Sequence, residues 1–126
     1  MIALAAQQQW HMTSIDIKTA FLYGELDEEL FMEQPEGFAV KGQEHKVFHL
    51  KCALYGLKQA ALQWWKALDK SMECLGFRCT KSDSRIFILT RSGGPCIIVI
   101  VYVDDAIFIG PDRHYTNHKK AQFMKE

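Results

Sequence analysis

Tyr102-Val103-Asp104-Asp105 sets two adjacent carboxylates between two short apolar runs, Ile97-Ile98-Val99-Ile100-Val101 and Ala106-Ile107-Phe108-Ile109. Both runs are rich in β-branched residues and free of proline, so they read as strands. The acids then stand at the tip of a hairpin whose flanks are buried. Like charges held this close repel one another unless a cation neutralises them. Carboxylate oxygens with no histidine or thiolate beside them suit magnesium better than zinc. The alternative is a plain acidic turn, since aspartate is a common turn residue.

Two further segments bear on that choice. Met12-Thr13-Ser14-Ile15-Asp16-Ile17-Lys18-Thr19-Ala20-Phe21-Leu22 begins as a short strand and reaches a turn at Tyr23-Gly24, which puts Asp16 near a strand end. Alone, such an aspartate would be a helix cap or a solvated turn residue. Leu54-Tyr55-Gly56-Leu57-Lys58-Gln59-Ala60 leads into a helical pattern through Trp64, Trp65, Leu68, Met72 and Leu75. Taken in order, Asp16 with Lys18-Thr19-Ala20-Phe21-Leu22, then Tyr55-Gly56-Leu57-Lys58-Gln59-Ala60, then Tyr102-Val103-Asp104-Asp105, resemble the palm of a copia-type retrotransposon reverse transcriptase. Met32-Glu33-Gln34-Pro35-Glu36-Gly37-Phe38 and Gln63-Trp64 extend the likeness, which runs from about Ala3 to Gly110. The Asp-Asp pair is a weak signal, the Tyr-Gly-Leu-Lys-Gln-Ala string a strong one, and the ordered set stronger still.

The resemblance implies an RNA-directed DNA polymerase that joins deoxynucleoside triphosphates to a primer on an RNA or DNA template. Asp16, Asp104 and Asp105 would be its catalytic and metal-binding acids, with Asp105 closer to support than to direct ligation, and Tyr102 and Val103 would complete the hairpin motif. Two magnesium ions, about 3.5–4 Å apart, would activate the primer hydroxyl and hold the triphosphate, with manganese as a substitute. The amides of Thr19 and Ala20 would face the triphosphate, and Tyr55 and Gly56 would line the pocket for the incoming base and the template. Lys58 would reach phosphate or simply be solvated. Phe21, five residues after Asp16, occupies the place of the aromatic ring that rejects ribonucleotides; the alternative is an ordinary core phenylalanine. The sequence departs from the family where Ala61-Leu62-Gln63-Trp64 stands in place of Pro-Arg, one residue and tryptophan. That loses a fixed backbone angle at the start of the helix and a positive charge near the substrate groove.

Length and composition bound this reading. A chain of 126 residues, 48% hydrophobic, can bury a core as one compact unit. Nothing in it resembles the family's basic fingers segment, and the expectation is a partial palm, residues 1–126, without complete fingers, thumb or ribonuclease H, which the rest of a polyprotein would supply. Fifteen basic and fifteen acidic residues leave no electrostatic footprint for nucleic acid. Arg113, His114, His118, Lys119 and Lys120 form a modest basic patch that reads as an ordinary solvated helix face. Cysteines 52, 74, 79 and 96 contain no Cys-x-x-Cys pair and follow no secretory signal, so reduced, partly buried thiols are expected. His45/His49 and His114/His118 have a zinc-like spacing without matching cysteines. The longest apolar run is too short for a membrane span. No targeting signal is visible, and the expected location is intracellular: cytoplasmic, in a virus-like particle, or nuclear. The alternative function is a non-catalytic retrotransposon remnant that does not polymerise on its own.

The elements expected to position these residues follow from periodicity. Residues 2–9 read as the tail of a helix, 10–17 as the first strand, and 22–30 as an acidic loop or brief helix. Residues 31–34 and 47–51 read as strands of a small side sheet. The main helix spans 59–75, stopped by Gly76. Residues 85–90 form a strand, 92–95 a turn and 96–110 the hairpin, and 123–126 look like the start of a further strand region. The fold class is α+β, an antiparallel sheet backed by helices on one face.

Overall fold

The stripe Trp64, Leu68 and Met72 winds the longest helix of the chain and turns those three side chains inward, each at most 7% exposed. A computed structural model describes residues 1–90 and 96–125. Along the chain come α1 (Ile2–Gln7), β1 (His11–Asp16), a 3-10 turn (Ala20–Tyr23), β2 (Glu25–Met32), β3 (Phe48–Cys52), α2 (Ala60–Cys74), β4 (Arg78–Cys79), β5 (Ile86–Leu89), β6 (Ile97–Tyr102), β7 (Asp105–Gly110) and α3 (Arg113–Phe123). The turn expected at residues 92–95 lies outside the described residues. No helix among the described residues is long and apolar enough to cross a membrane.

Where one unit was expected, the chain divides into two: Met1–Ala20 with Leu68–Glu126, and Phe21–Ala67. The first holds a five-stranded antiparallel sheet in the order β1-β7-β6-β5-β4. Successive side chains of a strand point to opposite faces, so Phe108 and Ile109 on β7 mark the two sides. Phe108 packs edge-on against Phe77 (6.4 Å between ring centres) and tilted against Phe123 of α3 (5.9 Å). Ile109 packs instead with Ile98 of β6 and Ala5 of α1. The sheet therefore has helical cover on both faces rather than on one. Alternation alone could not show this, because β6 is apolar at every position from Ile97 to Val101 and so hides which face each residue serves.

Two ends differ from expectation for local reasons. Residues around 123 close a helix, not a strand: the Asp112 carboxylate accepts from the Tyr115 N–H (2.9 Å) and caps α3, while Phe123 is drawn against Phe108. Gly76 stops α2 as expected, within a double hydrogen-bonded cap. Gly76 N–H donates to the Glu73 carbonyl and Phe77 N–H to that of Met72, both at 2.9 Å. Lys119 adds a bond from Nζ to the Leu75 carbonyl (3.0 Å).

The second unit is built on the two-stranded β2–β3 ladder and the first half of α2. The acidic stretch expected to be a loop is part of β2, whose register slips between Glu25, opposite Cys52, and Leu30, opposite Leu50. The slip frees Asp27 and Glu28 from strict pairing, and the helix takes them up. Gln63 and Lys66 both donate to the Asp27 carboxylate (2.8 and 2.7 Å), and Gln59 donates to Glu28 (2.7 Å). Gly24 is required by close approach: a Cβ there would lie 2.8–2.9 Å from Gln63 Cβ, Gln63 carbonyl carbon and Trp64 nitrogen. Helix α2 begins at Ala60 although Ala61 stands where the family has proline, the Ala60 N–H donating to the Leu57 carbonyl (3.1 Å).

Candidate active site

Asp16 is the last residue of β1 and Asp105 the first of β7, and the antiparallel register sets them directly opposite one another. The Ile17 N–H donates to the Asp104 carbonyl at 2.6 Å, which makes 17/104 a hydrogen-bonded pair. Its neighbour, Asp16/Asp105, is then a non-hydrogen-bonded pair, the kind whose side chains stand closest. Both residues are exposed, and Asp104, half-buried, sits in the hairpin turn immediately before Asp105. The long connection from β1 to β7 thus joins acids separated by most of the chain. The side chains do not complete a ready-made metal cage: no set of three or more His, Cys, Asp or Glu among the described residues is arranged to hold an ion.

The hairpin is tight, with Tyr102 paired to Asp105 across Val103 and Asp104. Val103 has φ +58°, and Asp104 is not among the residues of positive φ, the pattern of a type II′ turn, whose first central position suits glycine. A β-branched residue there is an outlier. Thr19, three residues after Asp16, is a second, at φ +56°, its hydroxyl donating to the Lys18 carbonyl at 2.6 Å. Backbone strain of this kind clusters at functional sites. Thr19 is exposed, whereas Ala20 beside it is fully buried, so its amide meets no solvent.

Beside the hairpin, Tyr102 (67% exposed) borders a cleft of about 420 Å³ walled by Ile2, Ile86 and Ile100. The Asp83–Arg85 ion pair stands in its lining, with contacts of 3.0 and 3.2 Å. Arg85 holds the Asp83 carboxyl below the usual carboxylate range, chiefly through its side-chain hydrogen bond.

What fixes β1 was not legible in the sequence. Lys120, read as part of a solvated helix face, donates from Nζ to the Thr13 hydroxyl (2.8 Å) and the Ser14 carbonyl (2.9 Å). Ser14 is opposite Ile107 in another non-hydrogen-bonded pair, so its carbonyl points off the sheet edge and the lysine satisfies it. His11 Nε2 lies 3.2 Å from the Asn117 side-chain oxygen. No periodicity signals such grips, because they join residues more than a hundred positions apart.

In the second unit, Phe21 and Tyr55 meet edge to face, ring centres 4.4 Å apart and planes at 85°. Phe21 is half-buried and Tyr55 58% exposed. Gly56 has φ +94° with nothing within 4 Å of a would-be Cβ, so backbone conformation rather than crowding requires glycine there. Lys58 is exposed, and so is Leu62, near where the family carries arginine.

The chain is an α+β fold in which antiparallel register sets two strand-end acids opposite one another beside a tight acidic hairpin. Residues 1–126 match the family described as reverse transcriptase (RNA-dependent DNA polymerase), and the chain belongs to that family, as the copia-type resemblance implied. It is 42% identical over 125 residues to the Retrovirus-related Pol polyprotein from transposon TNT 1-94 of Nicotiana tabacum, covering 99% of this chain and 9% of that protein. Over 118 residues it is 36% identical to the polyprotein from transposon RE2 of Arabidopsis thaliana, covering 94% of this chain and 8% of the other. The chain therefore spans less than a tenth of either relative. No solved structure matches it.

Proposed function

We propose that this chain carries the nucleotidyl-transfer centre of an RNA-directed DNA polymerase, with Asp16, Asp104 and Asp105 as the acids that hold divalent metal. The observation that carries the reading is the Asp16/Asp105 pair at the closest cross-strand position, with Asp104 next to it in the turn. Like charges facing one another in this way destabilise a ladder unless something neutralises them, and hard carboxylate oxygens are the donor set magnesium favours. Bound there, the metals would lower the pKa of the primer 3′-hydroxyl and offset charge on the departing pyrophosphate.

The residues divide the remaining work. Asp16 and Asp105 would be held from opposite strands, so a hinge in either strand would separate them; Lys120 and the 17/104 hydrogen bond resist that. Thr19, exposed and in a strained conformation, would present its amide to the triphosphate. Phe21 would occupy the space beside the sugar 2′ carbon and turn away a hydroxyl, and Lys58 would reach phosphate. Template, primer and the rest of a polyprotein are the partners this role requires.

The test exchanges this chain for the matching stretch of the tobacco relative's polymerase and measures primer extension with magnesium and deoxynucleotides. Extension is expected, and Asp16→Asn and Asp104→Asn should each abolish it. Extension indifferent to both substitutions would reject the assignment. A silent hybrid would instead favour a non-catalytic remnant, the reading suggested by the loss of Pro-Arg after Ala60.

A further inference from the structure

Phe21 sits on a single 3-10 turn, half-buried, where a lone phenylalanine ring would have room to change rotamer. A ring that must discriminate a hydroxyl from a hydrogen needs a fixed position, because a shift of one ångström is as large as the difference it reads. Tyr55 meets it at right angles, 4.4 Å between centres, the edge-to-face geometry that aromatic quadrupoles favour. Tyr55 is itself 58% exposed, so burial in a core does not account for a tyrosine there.

The backbone holds both rings where they meet. Tyr55 and Gly56 are the central residues of a turn closed by the Leu57 N–H to the Leu54 carbonyl (3.3 Å), and the φ of +94° at Gly56 is that of a type II turn. The Gly24 N–H donates to the Phe21 carbonyl (3.1 Å), closing the other turn, and the Ala53 N–H donates to the Gly24 carbonyl (2.8 Å), tying the two ring-bearing segments together. Tyr23 leans on Trp64 with 6.1 Å between centres, so the turn that carries Phe21 is seated on α2.

We infer that Tyr55 is a positioning residue for sugar discrimination: its ring holds Phe21 perpendicular and in place, so that preference for deoxyribose over ribose depends on Tyr55 as well as on Phe21. This rests on the reading of Phe21 as the group that turns away a 2′-hydroxyl. It assigns Tyr55 an action through its neighbour, distinct from lining a base pocket.

The experiment titrates the full chain, in magnesium, with a deoxynucleoside triphosphate and with its ribose counterpart, following the aromatic ring resonances by NMR to millimolar concentrations. The same spectra report whether each variant is folded. The wild-type chain should prefer the deoxy ligand by roughly tenfold, the scale on which a small steric difference is read. Phe21→Val should erase the preference by improving ribose affinity, and folded Tyr55→Leu should likewise narrow the ratio of deoxy to ribose affinity. Tyr55→Phe, which keeps the ring, should restore the wild-type ratio. A preference lost in Phe21→Val but kept in folded Tyr55→Leu would overturn the positioning role and leave Phe21 standing. A wild-type chain that binds neither ligand, or both equally, would overturn the Phe21 reading and this inference with it. Tyr55→Leu that weakens both ligands alike would make Tyr55 a plain contact and overturn the inference too.

Discussion

Val103 and Thr19 are β-branched residues with φ near +60°, and both lie within three residues of a proposed metal-binding acid. Such a conformation costs roughly 1–2 kcal/mol for an L-residue, whereas glycine in a flexible position costs about 0.5–1 kcal/mol in unfolded-state entropy. Relief outweighs entropy, so Val103→Gly should raise the melting temperature slightly, measurable by circular dichroism, while loosening the hairpin that carries the proposed metal-binding acids. The acids obey the same trade-off. Asp16→Asn removes one of two directly opposed charges and should stabilise the chain at low salt by about 0.2–1 kcal/mol. Magnesium should raise the melting temperature of the wild-type chain more than that of Asp16→Asn; equal shifts in both would argue against metal at this pair.

At the scale of elements, the slipped β2 shows charge deciding local structure. Hydrogen bonds from Lys66 and then Gln63, with the Lys66 charge, hold the Asp27 carboxyl below the ordinary aspartate range. A carboxyl whose folded value is depressed stabilises the folded state above the unfolded value, near pH 4, and loses that contribution as pH falls through the lower one. Thermal melts of the wild type and Asp27→Asn should therefore differ at pH 7 and converge in acid. The contact is exposed, so the difference should be small and shrink with salt. Most element positions were readable from pattern: the hairpin, the first strand, the side sheet and the main helix with its stop. Residues 22–30 were not, since a run of acids looks like loop until β3 pairs with its ends and α2 binds its middle. The final helix was legible only as a solvated face at residues 113–120, and its end looked like the start of a strand, because its cap, Asp112, and its anchor, Phe123, become meaningful only against Phe108.

For the whole molecule, neutrality is the governing fact. With fifteen charges of each sign, little counterion release drives binding to a duplex. At 150 mM salt the chain alone should bind a primer–template more weakly than about 100 µM, the weak end of nonspecific binding, and should extend it little or not at all. Fluorescence anisotropy and primer extension check the two statements, and micromolar binding by the isolated chain would contradict the first.

By itself the sequence determined the family and the candidate chemistry, because short ordered motifs around Asp16, Tyr55 and Asp104 are local strings that need no fold to be read. It also determined the strands flanking the acids, since β-branched runs report their own backbone preference. Only tertiary structure decided that Asp16 and Asp105 face one another at the closest cross-strand position, that α1 covers the sheet face opposite α3, and that Lys120 grips the edge of β1. These depend on register and parity between segments far apart in the chain. A one-residue slip would send Asp16 to the other face without changing a letter of the sequence.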